Sequence, residues 1–360
     1  MSWFLAFAGF AALIVLHELG HFAAAKAVGM RVERFALFFP PMLFTVRRGE
    51  TEYGVGAIPL GGYVRISGMN PNEELPPEVA PRAYYAQPPW KRIVVILAGP
   101  LVNFAIAFLV FFCILAFRGP IVDFTPTVDR VTRESPAAEV LRPGDRLLAV
   151  DGVRGDPDRL REQIATHRCA GAQVEGCSAA EPAELTILRD GRRQVLQVTP
   201  EYSEQSARAL IGFQFEPIYE EEPPLSAATG SLDTMWRVAT FSVERIVAIF
   251  YDAEARKEVS GPVGNYKVTQ ETIVEYGFVR SMEILGLISL SLAVINMFPF
   301  LPLDGGHIFW AVAEKVRGRA IPFSVLERVS VVGFMLVIFL FFIGLTNDIG
   351  RLNGEGFGVR

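Results

Sequence analysis

Three predominantly apolar stretches, residues 3–28, 93–117 and 331–345, dominate this chain and read as membrane spans, since a bilayer core about 30 Å thick is crossed by about 20 residues of helix. A fourth, residues 284–300, is slightly short and ends in prolines. The composition agrees: 51% hydrophobic residues, 28 Phe and a mean hydropathy of +0.32 lie outside the range of soluble domains. The first stretch has no basic segment ahead of it and carries His17, Glu18 and His21 inside the apolar run, so it reads as a retained helix and not as a cleaved signal. With 34 Lys+Arg against 39 Asp+Glu there is no basic excess to neutralise a phosphate backbone, which excludes nucleic acid as a partner. Three Cys are too few for a disulfide-built scaffold.

The short loops give an orientation. Arg31, Arg34, Arg47, Arg48, Arg65, Arg82, Lys91 and Arg92 lie between the first two spans, and Lys315, Arg317 and Arg319 between the last two, so both loops are expected in the cytoplasm. The long segment 118–280 is then outside. Within it, residues 232–251 are apolar but contain Asp233, Arg237, Glu244 and Arg245, each costing about 2.5–3.5 kcal/mol near a membrane-helix centre. An amphipathic helix on the outer membrane surface is expected instead, with Met235, Ala239, Val243, Ile246 and Phe250 on its apolar face. From Pro120 to about Pro217, short Val/Ile/Leu runs broken by turn residues indicate a small β-rich domain. In that domain Cys169 and Cys177 flank a short Gly/Ala-rich loop, compatible with a disulfide or with two free thiols. Cys113, inside a span, reads as a small packing residue.

The chemistry is concentrated in the first span. His17-Glu18-Leu19-Gly20-His21 matches H-E-x-x-H, in which two imidazoles four residues apart share a helix face and can hold one Zn²⁺, with the Glu placed to take a proton from the attacking water. Polar and ionisable groups inside an apolar span are costly, and their presence points to function. A hydrogen-bonded polar pair gluing two helices together is the structural alternative. A catalytic zinc takes three protein ligands, and the best candidate for the third is Asp304 in Asn296-Met-Phe-Pro-Phe-Leu-Pro-Leu-Asp304-Gly305-Gly306-His307. On the topology above, His17 lies about 21 Å along an inward-running helix, and Asp304 at the inner end of another. Pro299, Pro302, Gly305 and Gly306 are expected to interrupt the third span around a polar cavity, or simply to end a helix at the membrane surface. In the second span, Ala98-Gly-Pro-Leu-Val-Asn103 puts a Pro and an Asn next to the cavity or into helix packing. His307 is a possible oxyanion donor or a supporting residue.

Together, His17-Glu-Leu-Gly-His21, the segment Asn296-x-x-Pro-x-x-x-Leu-Asp-Gly305 and Ala98-Gly-Pro-Leu-Val-Asn103 resemble the bacterial site-2 protease family of intramembrane zinc metalloproteases, over essentially the whole chain. The stretch Ser135-Pro-Ala-Ala … Leu-Arg-Pro-Gly-Asp-Arg-Leu-Leu-Ala-Val-Asp-Gly152 resembles the PDZ fold of bacterial proteases over roughly 90 residues; such domains bind extended chain ends by strand addition. Some relatives carry two PDZ domains, whereas this chain has room for one. The resemblance implies hydrolysis of peptide bonds within the membrane segments of single-span proteins, such as trimmed anti-sigma factors or remnant signal peptides, in the bacterial cytoplasmic membrane. It implies one zinc ion held by His17, His21 and Asp304, Glu18 as general base and acid, and Asn296 against the substrate backbone. Residues 51–66 look like a Gly-rich β-hairpin similar to that family's membrane-reentrant β-loop, so Tyr53, Gly54, Gly56, Gly61 and Gly62 are expected to hold an unwound substrate by strand addition. An ordinary hairpin packed on the membrane face is the plain alternative.

The expected fold is therefore an α-helical polytopic membrane protein with four transmembrane helices, a membrane-associated β-hairpin and an inserted β-rich PDZ domain. Its expected parts are a membrane half at 1–118, an extracytoplasmic domain at 119–217, a surface helix and linker at 218–280, and a second membrane half at 281–360. A non-catalytic PDZ-containing membrane adaptor is the rival reading, and it has no use for Glu18. A transporter, the other rival, fits less well, because the His and acidic groups converge at one depth instead of forming a relay across the bilayer.

Overall fold

The computed structural model describes residues 2–70, 72–133, 135–204 and 206–353. The described residues divide into two compact units, one made of residues 2–115 and 224–353 and the other of residues 116–223. Each has its own core.

The first unit is helical. Helix α1 (Ser2–Ala27) is followed by two long strands, β1 (Val32–Arg48) and β2 (Thr51–Ile66), and then by α2 (Pro89–Arg118). Among the described residues four helical stretches are long and apolar enough to cross a membrane: Phe7–Ala27, Pro89–Arg118, Val279–Asn296 and Phe323–Leu352. Ala25, Met30, Val32, Ile66, Tyr84, Val95 and Ile96 form one buried cluster where the end of α1, the two strands and the start of α2 meet.

Residues 51–66 are not a hairpin on their own, as expected from their glycines, but a single strand paired with 32–48 around a turn at Gly49-Glu50. Each strand bends back on itself. Phe35 pairs with Val64 on one side and Tyr53 on the other, and Tyr53 pairs in turn with Val46. The first half of β1 thus lies between the two halves of β2, with residues 62–66 on one outer edge and 42–48 on the other. The turn chemistry that closes this sheet lies at 49–50, while the glycines in 51–66 serve close approach: a Cβ on Gly54 would meet the Phe44 carbonyl at 2.8 Å, and one on Gly56 the Phe38 carbonyl at 2.7 Å.

The second unit is a β-rich domain. Strands β3 (Ile121–Val131), β4 (Arg146–Val150), β5 (Ala183–Arg189), β6 (Arg192–Val198) and β9 (Phe213–Tyr219) form an antiparallel sheet in the order β6-β5-β4-β3-β9, and β7 (Glu201–Ser203) pairs with β8 (Arg208–Leu210). Helix α3 (Pro157–Ala165) starts at Asp156, whose carboxylate accepts the Arg159 N–H at 2.9 Å, and buries Leu160 and Ile164 against Leu147, Ile187 and Phe215. A small groove between α3 and residues 208–213 is lined by Arg161, Ile164, Arg208, Gly212 and Phe213. Asp145 is buried, and burial alone would raise its pKa. The Arg189 guanidinium, donating to both carboxylate oxygens at 2.7 and 2.6 Å, overrides that and holds it below the ordinary value. Cys169 and Cys177 are bonded to each other, with Cα atoms 6.0 Å apart.

In the first unit, α4 (Pro224–Ala248) is the helix expected over 232–251. Met235 packs with Ala107, Phe111, Leu290 and Val294, and Ala227 and Ser231 continue that buried row, while Val243 and Phe250 are exposed. After α5 (Ala253–Glu258) comes α6 (Pro262–Asn296), which begins well before residue 281, so the segment expected as linker is largely helical. The turn at 297–303 then leads into a new helix, α7 (Asp304–Arg317), and the chain continues to α8 (Phe323–Asn353). Gly305 and Gly306 therefore do not interrupt the third span; they let the first turn of α7 press on backbone, a Cβ on Gly305 meeting the Phe298 carbonyl at 2.5 Å and one on Gly306 the Phe300 carbonyl carbon, also at 2.5 Å. The start of α6 is held by α8: Asp348, fully buried, accepts the Gly261 N–H at 3.0 Å and the Gly264 N–H at 2.8 Å.

Candidate metal centre

His17 and His21 stand one turn apart on α1, and both are 7% exposed. Burying two imidazoles costs free energy unless their nitrogens find partners, and each does. The His21 Nδ1 lies 2.9 Å from the Val95 carbonyl oxygen on α2 and donates to it. That bond places the ring proton on Nδ1 and leaves the Nε2 lone pair free. A carbonyl oxygen has two lone pairs, so the Val95 oxygen can accept the ring N–H in addition to a helix bond. The ring fits there because α1 and α2 approach closely at glycines. A Cβ on Gly20 would come within 2.6 Å of the Ala98 carbonyl oxygen, and one on Gly99 would lie 2.5 Å from His21 Cε1.

Asp304 is the first residue of α7, where a carboxylate also meets the positive end of the helix dipole. Its Oδ2 lies 3.3 Å from His17 Nε2 and 3.4 Å from His21 Nε2, and the two Nε2 atoms are 3.2 Å apart. The three atoms thus form a nearly equilateral triangle. Ligands on a tetrahedral zinc with bonds of about 2.0–2.1 Å stand about 3.3–3.4 Å from one another, so the triangle is one face of that tetrahedron, and its fourth vertex is left for water or substrate. Asp304 Oδ2 is also a buried atom without a hydrogen-bond partner, as a metal-facing oxygen is. Among the described residues these three are the one group of three His, Cys, Asp or Glu side chains whose ligand atoms converge in this way.

Asn103, fully buried, faces the other nitrogen of His17: its side-chain amide lies 3.2 Å from Nδ1. The near atom is Nδ2; with Nε2 turned to the triangle Nδ1 carries the proton, and the same amide turned by 180° presents to it Oδ1, which otherwise stays buried without a partner. The backbone there is held as well, Asn103 carbonyl oxygen accepting the Ser289 hydroxyl at 3.0 Å.

The remaining expected site residues are spread more widely. Glu18, next to His17, faces β2, where a Cβ on Gly62 would approach Glu18 Cγ to 2.9 Å. Gly61 precedes it with a φ of 156° and lies against the Phe39 ring. Gly54 and Gly56 pack on β1, as described above, and Tyr53 joins Phe22 and Phe35 in an aromatic cluster with ring centroids 5.9 and 6.2 Å away. Asn296 is the half-buried last residue of α6. His307 lies one turn beyond Asp304 on α7 and is not one of the converging side chains.

Sequence reasoning missed Gly20, Gly99 and the Val95 carbonyl. The signal was present: Val95, Gly99 and Asn103 recur at helical spacing on α2, one face that carries a carbonyl, a gap and an amide in register with α1.

Residues 5–340 match the model of peptidase family M50. The chain is similar to Zinc metalloprotease Rip1 of Mycobacterium tuberculosis, with 29% identity across 90% of this chain and 92% of that protein. It is likewise 30% identical, across 94% of its own length and 96% of the other's, to a Clostridium perfringens protein named "Putative zinc metalloprotease CPE1693". The paired imidazoles on an apolar helix long enough to cross a membrane, the carboxylate that meets them and this match agree, and the chain belongs to peptidase family M50, the site-2 proteases, as a multi-pass membrane zinc metalloprotease.

Proposed function

We propose that the protein cleaves peptide bonds inside the membrane-spanning segments of single-span proteins, as the second step of regulated proteolysis in a bacterial cytoplasmic membrane. The observation that carries this reading is the triangle of His17 Nε2, His21 Nε2 and Asp304 Oδ2 at 3.2–3.4 Å, with both imidazoles on an apolar helix long enough to cross a membrane. His17, His21 and Asp304 are the ligands of one zinc ion, which when bound supplies a Lewis acid that polarises the scissile carbonyl and activates water. Glu18 takes the proton of the attacking water on its carboxylate and delivers it to the leaving amide nitrogen. Asn296, at the end of α6, holds substrate backbone.

A transmembrane helix hides its peptide bonds, so the substrate has to be unwound before it is cut. Residues 62–66 form an outer strand of the bent sheet, beside Glu18, and among the described residues no further strand pairs with their outer side. An extended substrate segment adds there, with Gly61 and Gly62 leaving room for it. Tyr53, Gly54 and Gly56 shape the sheet behind this strand.

Residues 116–223 are read as a single PDZ domain on the extracytoplasmic side. The sheet edge at β9 beside α3, and the groove with Arg161 and Arg208, support a role in admitting proteins whose outer part has already been removed. The basic loops support an active site towards the cytoplasm. The test is cleavage of a panel of single-span substrates by purified protein in detergent, with zinc content measured alongside. Glu18→Gln is expected to keep zinc and lose turnover, and Asp304→Ala to lose zinc. Wild-type turnover by Glu18→Gln would refute the assignment.

A further inference from the structure

We propose that Arg92 and Glu314 form a positioning pair that sets Asp304 against the two histidines. The inference rests on reading His17, His21 and Asp304 as the zinc ligands.

Arg92 lies near the start of α2 and Glu314 near the end of α7. The guanidinium Nη2 donates to Glu314 Oε2 at 2.5 Å, and the two side chains are only 14% and 11% exposed. The second carboxylate oxygen, Oε1, accepts the Ile321 N–H at 3.3 Å, and the guanidinium carbon lies 5.9 Å from the Tyr84 ring centroid. A charge pair this enclosed is poor value as a stabiliser, because desolvation offsets most of the attraction; its best-attested use is to fix one arrangement of helices over others.

What it fixes here follows from the rest of α2. Arg92, Val95, Gly99 and Asn103 are spaced three, four and four residues apart and so share one helix face. Val95 holds His21, Gly99 makes room for it and Asn103 meets His17. Asp304 comes from a different part of the chain and has no hydrogen bond to α2; near its first turn α7 packs Ile308 against the cluster that holds Val95 and Ile96, and its far end is tied to α2 by the Arg92 ion pair. The first turn of α7 presses on the backbone of 297–301 and acts as a pivot, and Glu314 stands ten residues further on, about 15 Å along the axis. If that end drifts by about 2 Å, the helix tilts by about 8°, and a carboxylate about 6 Å from the axis moves by about 0.8 Å. Metal–ligand distances tolerate about 0.2 Å. Asp304 therefore stays at bonding distance only while the far end of its helix is held.

The test uses the full-length protein in detergent and measures zinc affinity by chelator competition, with thermal unfolding in parallel. Arg92→Gln and Glu314→Gln are each expected to weaken zinc binding by about 10- to 100-fold, the range typical of lost supporting contacts around a metal site. The double variant should be no weaker than the worse single one, and the exchange Arg92→Glu with Glu314→Arg should recover part of the loss. The apolar pair Arg92→Met with Glu314→Leu keeps the helices packed and guards against single variants that fail to fold; it too is expected to lose affinity. Asp304→Ala separates the two readings. If it binds zinc like wild type, the ligand set is wrong. If it loses zinc while the folded single variants or the apolar pair bind like wild type, the positioning role is overturned and the ligand set stands.

Discussion

The tightest constraint in the site is the space beside His21, so Gly99→Ala is the most informative single change. The added methyl would stand 2.5 Å from His21 Cε1 and 2.9 Å from Cδ2, with Nε2 nearer still. Ordinary carbon–carbon contact begins at about 3.5 Å, so either the ring retreats by about 1 Å or α2 moves away from α1 by a similar amount. The second route is open to sterics, but moving α2 outward would draw the Val95 carbonyl away from His21 Nδ1, now at 2.9 Å. Both routes displace Nε2 or its orienting bond by several times the roughly 0.2 Å that a metal–ligand distance tolerates. Zinc affinity is expected to fall by at least about 10- to 100-fold, with turnover falling in parallel. The assay is chelator competition on purified protein in detergent. Gly230→Ala serves as control, because its methyl would meet only Leu115 Cδ1 at an ordinary 3.4 Å, and it is expected to stabilise by about 0.4–1 kcal/mol. A Gly99→Ala protein with wild-type zinc affinity would refute the argument that this gap positions His21.

Three further outcomes are expected. Asn103→Leu should weaken zinc binding by about 10- to 100-fold while Asn103→Asp, which still accepts from His17 Nδ1, should retain it; equal losses in chelator competition would show that only packing matters at this position. Gly62→Val should keep zinc but lose turnover, since its side chain would press on Glu18 and fill the strand edge, and the check is zinc content beside cleavage rate. In the β-rich unit, Asp145→Ala leaves Arg189 enclosed without its partner and should cost about 3 kcal/mol. Because the folded Asp145 pKa lies below the unfolded value of about 3.9, its contribution is full above that pH and is lost as pH falls through the folded value. The gap between wild type and Asp145→Ala in hydrogen exchange of β4 and β5 should therefore narrow below about pH 4.

Much of this protein is legible along its length. Membrane helices announce themselves because lipid demands about 20 apolar residues in succession, and the H-E-x-x-H pair stands out because polar groups are costly there. Helix α6 starts well before the expected span because residues 262–278 are less apolar than 279–296, and hydropathy registers the stretch apolar enough to cross a membrane and not the full length of the helix. The sheet was misread for a related reason: the glycines of 51–66 look like turn signals, yet Gly54 and Gly56 are required by the backbone of β1 passing close by, a neighbour that no local pattern reveals.

The same division holds at the metal centre. The residue types and the i, i+4 spacing of His17 and His21 follow from the sequence, because a helix alone puts both on one face. That Asp304, nearly three hundred positions away, closes a triangle of 3.2–3.4 Å is decided only by the tertiary structure. So are the tautomers of both rings, the gap at Gly99 and the Arg92–Glu314 pair, since each depends on how α2 lies against α1 and α7. Helical periodicity is a local property of the chain, whereas a metal site is defined to a few tenths of an ångström by contacts between segments that are remote in sequence.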